Sequence, residues 1–404
     1  MEGVAVTGLG IVSALGANRV EFWDAAVAGR SGIAPMSIVD ARDLRFKMAA
    51  EVRGYDPATS FDERQLEMTD RFAQFAVIAA RESVADAGIA WTPELRDRTA
   101  IVTGSCLGGQ TSEDNSFADL YLRNRGRVHP LTIPRTMANA GASHIAAELG
   151  VTGPTFTLST ACASASHAIG MALSLIRSGT VDMAIAGGSE APFSPGILKA
   201  WDSLRVVSPD ICRPFSVDRR GMILGEGGAM LVLENLATAK ARGARIWAEL
   251  IGFGASSDAA HITQPCATGA GRAMQRALDD ARIAPESVGY INAHGTGTTA
   301  NDRVETAAIR SIFGAHADAL AVSSTKAMHG HTLGAAGAIE AIATVLALAE
   351  GVLPPTINYS ASDPECALDV VPNEARVTPV QVALSNSFAF GGLNAVLAFR
   401  RTSG

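Results

Sequence analysis

The sequence is poor in cysteine, and the little it has does not pair in a recognisable way. Five cysteines in 404 residues, an odd number at wide and irregular spacing, give no disulfide framework. No Cys-x-x-Cys or Cys/His set with zinc-finger spacing occurs. Basic residues are in deficit, 33 Lys and Arg against 40 Asp and Glu, for a net charge of -7. That balance argues against a partner such as nucleic acid or an anionic membrane, which would call for a basic stripe. Long apolar runs are also missing. The longest helix-like one, Ala341 to Leu348, is bounded by Glu340 and Glu350, far short of the ~20 residues that a membrane span requires. The opening stretch, Met1 to Gly10, is apolar without a basic flank, so it reads as a first strand and not as a signal peptide. A reducing, cytoplasmic location without a membrane span is expected.

What is abundant is glycine, 40 residues, against 5% aromatics. Tight turns and closely packed elements follow from such a composition. Apolar runs such as Ala100 to Thr103, Met183 to Ala186 and Met230 to Leu233 read as buried strands, and the Ala-rich periodic runs between them as helices. The result is an α/β architecture. The order of elements also repeats. The helical run Phe75 to Ile89 leads to a strand ending at Gly104, and its echo Ala273 to Ile283 leads to Val288 to Asn292. A second echo pairs the turn Ser159 to Cys162 with Ser324 to Lys326, each followed by a helix. Two related halves, residues 1–245 and 246–404, are expected to contribute matching loops to one site.

Four stretches bring small residues together with a reactive group. Cys162 stands where a strand turns into a helix, a place where helix amides favour thiolate over thiol. His294 opens the glycine loop Gly295-Thr296-Gly297-Thr298. Lys326, followed by His329-Gly330-His331, sits in the turn that matches the cysteine turn. Phe388 to Asn394 forms a carboxyl-terminal glycine-rich turn whose amides suit an oxyanion. The pair His329 and His331 has the form of two metal ligands, but no third ligand stands at a familiar spacing, so no metal is expected.

These four stretches, with Val6-Thr7-Gly8-Leu9-Gly10 at the start and Gly225-Glu226-Gly227 to Glu234 in the middle, resemble the 3-oxoacyl-[acyl-carrier-protein] synthases of the type II branch. The resemblance covers essentially the whole chain. It implies the thiolase fold, a duplicated five-layer αβαβα arrangement, as a homodimer or as a heterodimer with a related subunit. It implies a decarboxylating condensation of an acyl group on Cys162 with malonyl on an acyl carrier protein, without a cofactor beyond the carrier's phosphopantetheine. By the same resemblance, the amides of Cys162 and Phe390 hold the thioester oxygen, His294 and His331 stabilise the enolate, and Lys326 orients or tunes His331 and the charge of the site. Glu340, counted among the substrate-side residues, anchors Lys326. Thr263, Thr296 and Thr298 meet the pantetheine arm, Leu107 sets acyl-pocket depth, and Phe390 gates the two steps. Arg123, Arg125 and Arg127 are the best basic patch for the carrier.

The sequence departs from the family pattern at His329, Ala389, Leu393, Ser216 and Arg220. His329 is either a third catalytic group or a side chain packed beside one. These departures speak against housekeeping fatty-acid elongation, and His329 together with Cys212 to Phe215 and Ser257 to Thr263 resembles specialised synthases similar to nodulation protein E, which make unusual acyl chains or polyketides. Two rivals stand beside this reading. A thiolase acting on coenzyme A thioesters would need a second, carboxyl-terminal cysteine, for which Cys366 is the candidate without a glycine loop. A chain-length partner subunit would lack the nucleophile that is present here.

Overall fold

The computed structural model describes residues 3–402. Of the expected first strand, Met1 and Glu2 lie outside the described residues; the strand itself, β1, is Val4–Ser13 and is buried along its whole length. Nine more strands join it in one sheet: β2 Thr99–Gly104, β3 Thr155–Leu158, β4 Met183–Glu190, β5 Gly227–Asn235, β6 Ala248–Ser257, β7 Tyr290–Asn292, β8 Ala321–Ser323, β9 Val382–Ala389 and β10 Leu393–Arg400. The spatial order is β8-β7-β9-β10-β6-β1-β5-β4-β2-β3. Numbering the strands of each half from its own start, both halves read three, two, four, five, one. The duplication inferred from the helix–strand echoes is therefore written into the sheet, with β1 and β6 paired antiparallel where the halves meet.

Eight helices position the site: α1 Arg71–Ala87, α2 Gln110–Tyr121, α3 Ala140–Leu149, α4 Ser164–Arg177, α5 Pro195–Leu204, α6 Ala267–Ala281, α7 Thr299–Phe313 and α8 Ala336–Glu350. The outer helices α1 and α3 cover the strands of the first half, and α6 covers those of the second with α7 packed against it. The helices α4 and α8 touch each other and strands of both halves, so they form the middle layer of the five. Small residues allow this closeness. A Cβ at Gly8 in β1 would fall 2.0 Å from the Ser83 carbonyl of α1, so helix backbone lies directly on the strand.

The middle layer corrects one sequence expectation. The segment Leu333–Glu350, longer than the apolar run picked out from the sequence, is long and apolar enough to cross a membrane, yet 89% of it is buried inside the protein. Glu340, at 0% exposure, interrupts it. A helix enclosed on all sides by sheet and helix has no polar face to show.

Candidate active site

Cys162 follows β3 in a turn that reverses sharply. Ala161 takes φ 50°, in the left-handed region that an alanine seldom adopts. The Ser164 hydroxyl steadies the turn, donating to the Ala161 carbonyl (2.6 Å) and accepting from the Thr160 amide (2.9 Å). Cys162 is 7% exposed and lines a cleft of about 660 Å³, its mouth included. Burial pushes the thiol up to about 11, against the pull of the Lys326 cation and of the Phe390 and Cys162 amides. This corrects the expectation of a resting thiolate. The helix start is present, but loss of water around the sulfur outweighs it, and the resting group is a thiol.

His294 follows β7 through Ala293. Its amide and that of Gly295 donate to the two carboxylate oxygens of Glu305, both at 2.8 Å. Its Nδ1 lies 3.3 Å from Lys326 Nζ. An ammonium can only donate, so Nδ1 accepts and the ring proton of His294 belongs on Nε2. His331 reaches the same state by another route, its Nδ1 accepting from the Leu333 amide at 3.2 Å. Both rings are buried and held neutral, far below the usual imidazole range, first by burial and next by the nearby Lys326 cation. They stand edge to face, centroids 5.3 Å apart. Cys162 Sγ and one ring nitrogen of each histidine all lie within 4.8 Å of one another. Three such atoms have the spacing of metal ligands, but with a buried ammonium on the imidazole of His294 the set suits an anion better than a cation.

The expected side chains divide into those at the cleft and those behind it. Cys162, His294, His331, Phe390, Thr263, Thr296 and Thr298 all line it. Lys326 stands behind, fully buried and paired with the Glu340 carboxylate. Its second hydrogen bond goes to His294 and not to His331, so the orienting of His331 falls to the Leu333 amide, while the Lys326 charge helps to hold the His331 ring neutral, as expected. Glu340 is an anchor for that lysine and not a wall of the cleft, since it lies deep on α8. Leu107 does not itself line the cleft; its amide is held by Glu190 and its side chain packs on the apolar cluster that includes Phe193, Leu198 and the cleft residue Met222. His329 packs as well, its Nε2 2.9 Å from Thr325 Oγ1 and its ring near Phe22, away from the cleft. The basic patch is partly neutralised, as Arg123 and Arg125 both pair with Asp119. Cys366 is buried in the turn Pro364–Cys366 and does not reach the cleft.

Sequence reasoning missed the apolar walls, chiefly Trp201 on α5, Met222 and Phe388. Trp201 lies flat on Phe390, centroids 6.3 Å apart and planes 24° apart. It also missed Glu305, whose carboxylate fixes the His294 loop and accepts from Asn386 Nδ2 at 3.1 Å. Only the apolar face of α5, with its lone tryptophan, could have signalled the first of these.

A single family accounts for the paired halves and the cleft between them. The model of the beta-ketoacyl synthase N-terminal domain matches residues 1–239, and that of the C-terminal domain residues 247–360. The chain belongs to the beta-ketoacyl synthase family. As a member it is an acyltransferase of the condensing type. It is 46% identical to nodulation protein E of Rhizobium sp. (strain N33) over 98% of this chain and 99% of that one. It is 42% identical to 3-oxoacyl-[acyl-carrier-protein] synthase 2 of Synechocystis sp. (strain ATCC 27184 / PCC 6803 / Kazusa), with 98% of each chain covered. Among solved structures, the ishigamide ketosynthase/chain length factor superposes over 100% of both chains with a TM-score of 0.95 at 39% identity.

Proposed function

We propose that this synthase joins an acyl group carried on Cys162 to a malonyl unit presented by an acyl carrier protein, with loss of carbon dioxide. The thiol attacks the acyl thioester, and its proton passes to the departing pantetheine sulfur. The amides of Cys162 and Phe390 receive the oxygen of the tetrahedral intermediate; both already act on the sulfur in the resting site. Malonyl then enters past Phe390 and Trp201. The bond to its carboxylate breaks, carbon dioxide leaves, and the electron pair forms an enolate. The Nε2–H groups of His294 and His331 hold the enolate oxygen, and the carbanion attacks the acyl carbonyl and expels the Cys162 thiolate, which regains a proton from water.

The observation that carries this reading is the pair of neutral histidines, each with Nδ1 already occupied, set against the thiol. Two donors that bear no charge stabilise a developing oxyanion without needing to lose a proton first. Lys326 fixes the proton on His294 from behind. Thr263, Thr296 and Thr298 line the path that the pantetheine arm takes. The substrate is a specialised acyl chain, a reading supported by the similarity to nodulation protein E and by the apolar walls of the cleft. The chain works in the cytoplasm as a dimer, with itself or with a related subunit, and needs no metal or cofactor of its own. The distance of Cys366 from the cleft counts against a thiolase, and the presence of Cys162 counts against a chain-length partner without activity.

The test is to offer a panel of acyl-carrier-protein thioesters and read intact mass, with Cys162→Ala as control, and then to add malonyl carrier protein. An adduct that depends on Cys162, followed by a 3-oxoacyl product, is expected. No adduct from any acyl group would sink the reading in favour of a partner subunit.

A further inference from the structure

Glu190, at the end of β4, is a buried carboxylate for which the mechanism above has no use. It is 0% exposed and has no cationic partner among the described residues. Four donors surround it instead. One oxygen accepts from the Cys106 amide (2.7 Å) and the Gly334 amide (3.0 Å), the other from the Ser105 hydroxyl and the Leu107 amide, both at 3.1 Å. Three of these donors belong to the loop after β2. The fourth lies in the other half of the chain, three residues beyond His331.

That fourth contact is the informative one. The His331 proton sits on Nε2 only because the Leu333 amide occupies Nδ1. Leu333 holds this position with φ 49°, which a branched side chain does not adopt without support. The next amide, that of Gly334, is the one that Glu190 grips. The fit is close: a Cβ at Gly334 would lie 2.4 Å from the Glu190 oxygen and 2.4 Å from the Cys106 amide. Burial pushes the Glu190 carboxyl up to about 7, and all four donors pull the other way, so its place is costly and depends on them. A carboxylate that served only to satisfy the loop after β2 would not need an oxygen shared with the His331 turn.

We infer that Glu190 is a positioning residue for His331: it locks the Leu333–Gly334 turn so that the Leu333 amide stays on Nδ1 and Nε2–H stays free for the substrate oxygen. The part of this inference that concerns catalysis rests on the condensation reading; the part that concerns the imidazole does not. Glutamine at position 190 keeps the shape but replaces one acceptor by an NH₂ group that faces amide donors.

The experiment is ¹⁵N-histidine spectroscopy of the full chain, with the His331 signals assigned by their loss in His331→Asn. The wild type is expected to show a single Nε2–H form for His331. Glu190→Gln is expected to show a mixture of both ring forms, while His294 is unchanged. In parallel, malonyl decarboxylation should fall about 10²-fold, the scale of a misplaced catalytic group, with Cys162 acylation retained. Should the variant not fold, amide exchange in the wild type decides, since Gly334 and Leu333 must then be protected together. An unaltered His331 ring in Glu190→Gln, or free exchange at Gly334, overturns the inference. If the wild type decarboxylates nothing, the condensation reading fails, and the ring spectra still decide the role of Glu190.

Discussion

The turns at Cys162 and Lys326 occupy the same place in the two halves and do opposite things. Each follows the third strand of its half and leads toward a helix of the middle layer. In the first, the residue before the functional one, Ala161, is left-handed at φ 50°; in the second, Thr325 is right-handed at φ -69°. The first turn brings a thiol to the wall of the cleft. The second sends an ammonium behind the wall, where it meets His294 and the Glu340 carboxylate. A duplicated scaffold thus gives one copy the bond-making group and the other the charge that sets the state of its neighbours. The charge is the more expensive of the two to keep, because a buried ion must be matched by a partner.

The largest effect that separates the turns is chemical. Cys162→Ala should abolish the acyl adduct and condensation while leaving decarboxylation of malonyl measurable, because both histidines remain; loss of both reactions would mean that the sulfur also holds the histidines. Lys326→Met should act on stability first. It strands the Glu340 carboxylate in the core, at a cost of about 3–5 kcal/mol in a urea unfolding series. Lys326→Met combined with Glu340→Leu should recover most of that stability without recovering activity. A double variant as unstable as the single one would break the comparison.

A third prediction uses pH. The folded thiol of Cys162 is raised to about 11, so its alkylation by iodoacetamide should still be climbing at about pH 10. The Lys326 cation is one of the influences holding that value down. Removing it should shift the rise to higher pH and slow alkylation at neutral pH severalfold. A plateau near neutrality in the wild type would show a thiolate, as the strand-to-helix turn alone leads one to expect.

Much of this site is legible in the amino-acid sequence, because its chemistry sits on turns with unmistakable residues. Cys162, His294, His331 and Phe390 stand out in small-residue loops at strand ends, and they do converge. The duplication is legible too, since the order of helix, loop and strand survives when side chains diverge. What the residues do not disclose depends on distances across the fold. Lys326 can be seen as buried but not aimed: it hydrogen-bonds the histidine after β7 and reaches its sequence neighbour His331 only through its charge. Leu107 sits in a plausible glycine turn, but that its amide is tied to Glu190 and its side chain joins the cluster of the wall residue Met222 depends on the fold. Trp201 and Met222 carry no motif, for an apolar wall is made by any residue of suitable size in the right place. The proton on the thiol escapes such a reading because helix dipoles can be read from a sequence and desolvation cannot.

The smallest effect tests the backbone difference itself. Glycine tolerates the left-handed region that alanine enters at a cost of roughly 1–2 kcal/mol, and gives back part of that in chain entropy when it folds. Ala161→Gly should therefore raise stability slightly, by less than about 1 kcal/mol. At position 325 the backbone is already right-handed, so Thr325→Gly gains nothing and also loses the contact of Thr325 Oγ1 with His329. It should lower stability by about 1 kcal/mol or more. Urea midpoints measured side by side should thus move in opposite directions. Should both fall together, the positive φ at Ala161 is not a strained feature of the nucleophile turn, and the contrast between the two turns lies in their side chains alone.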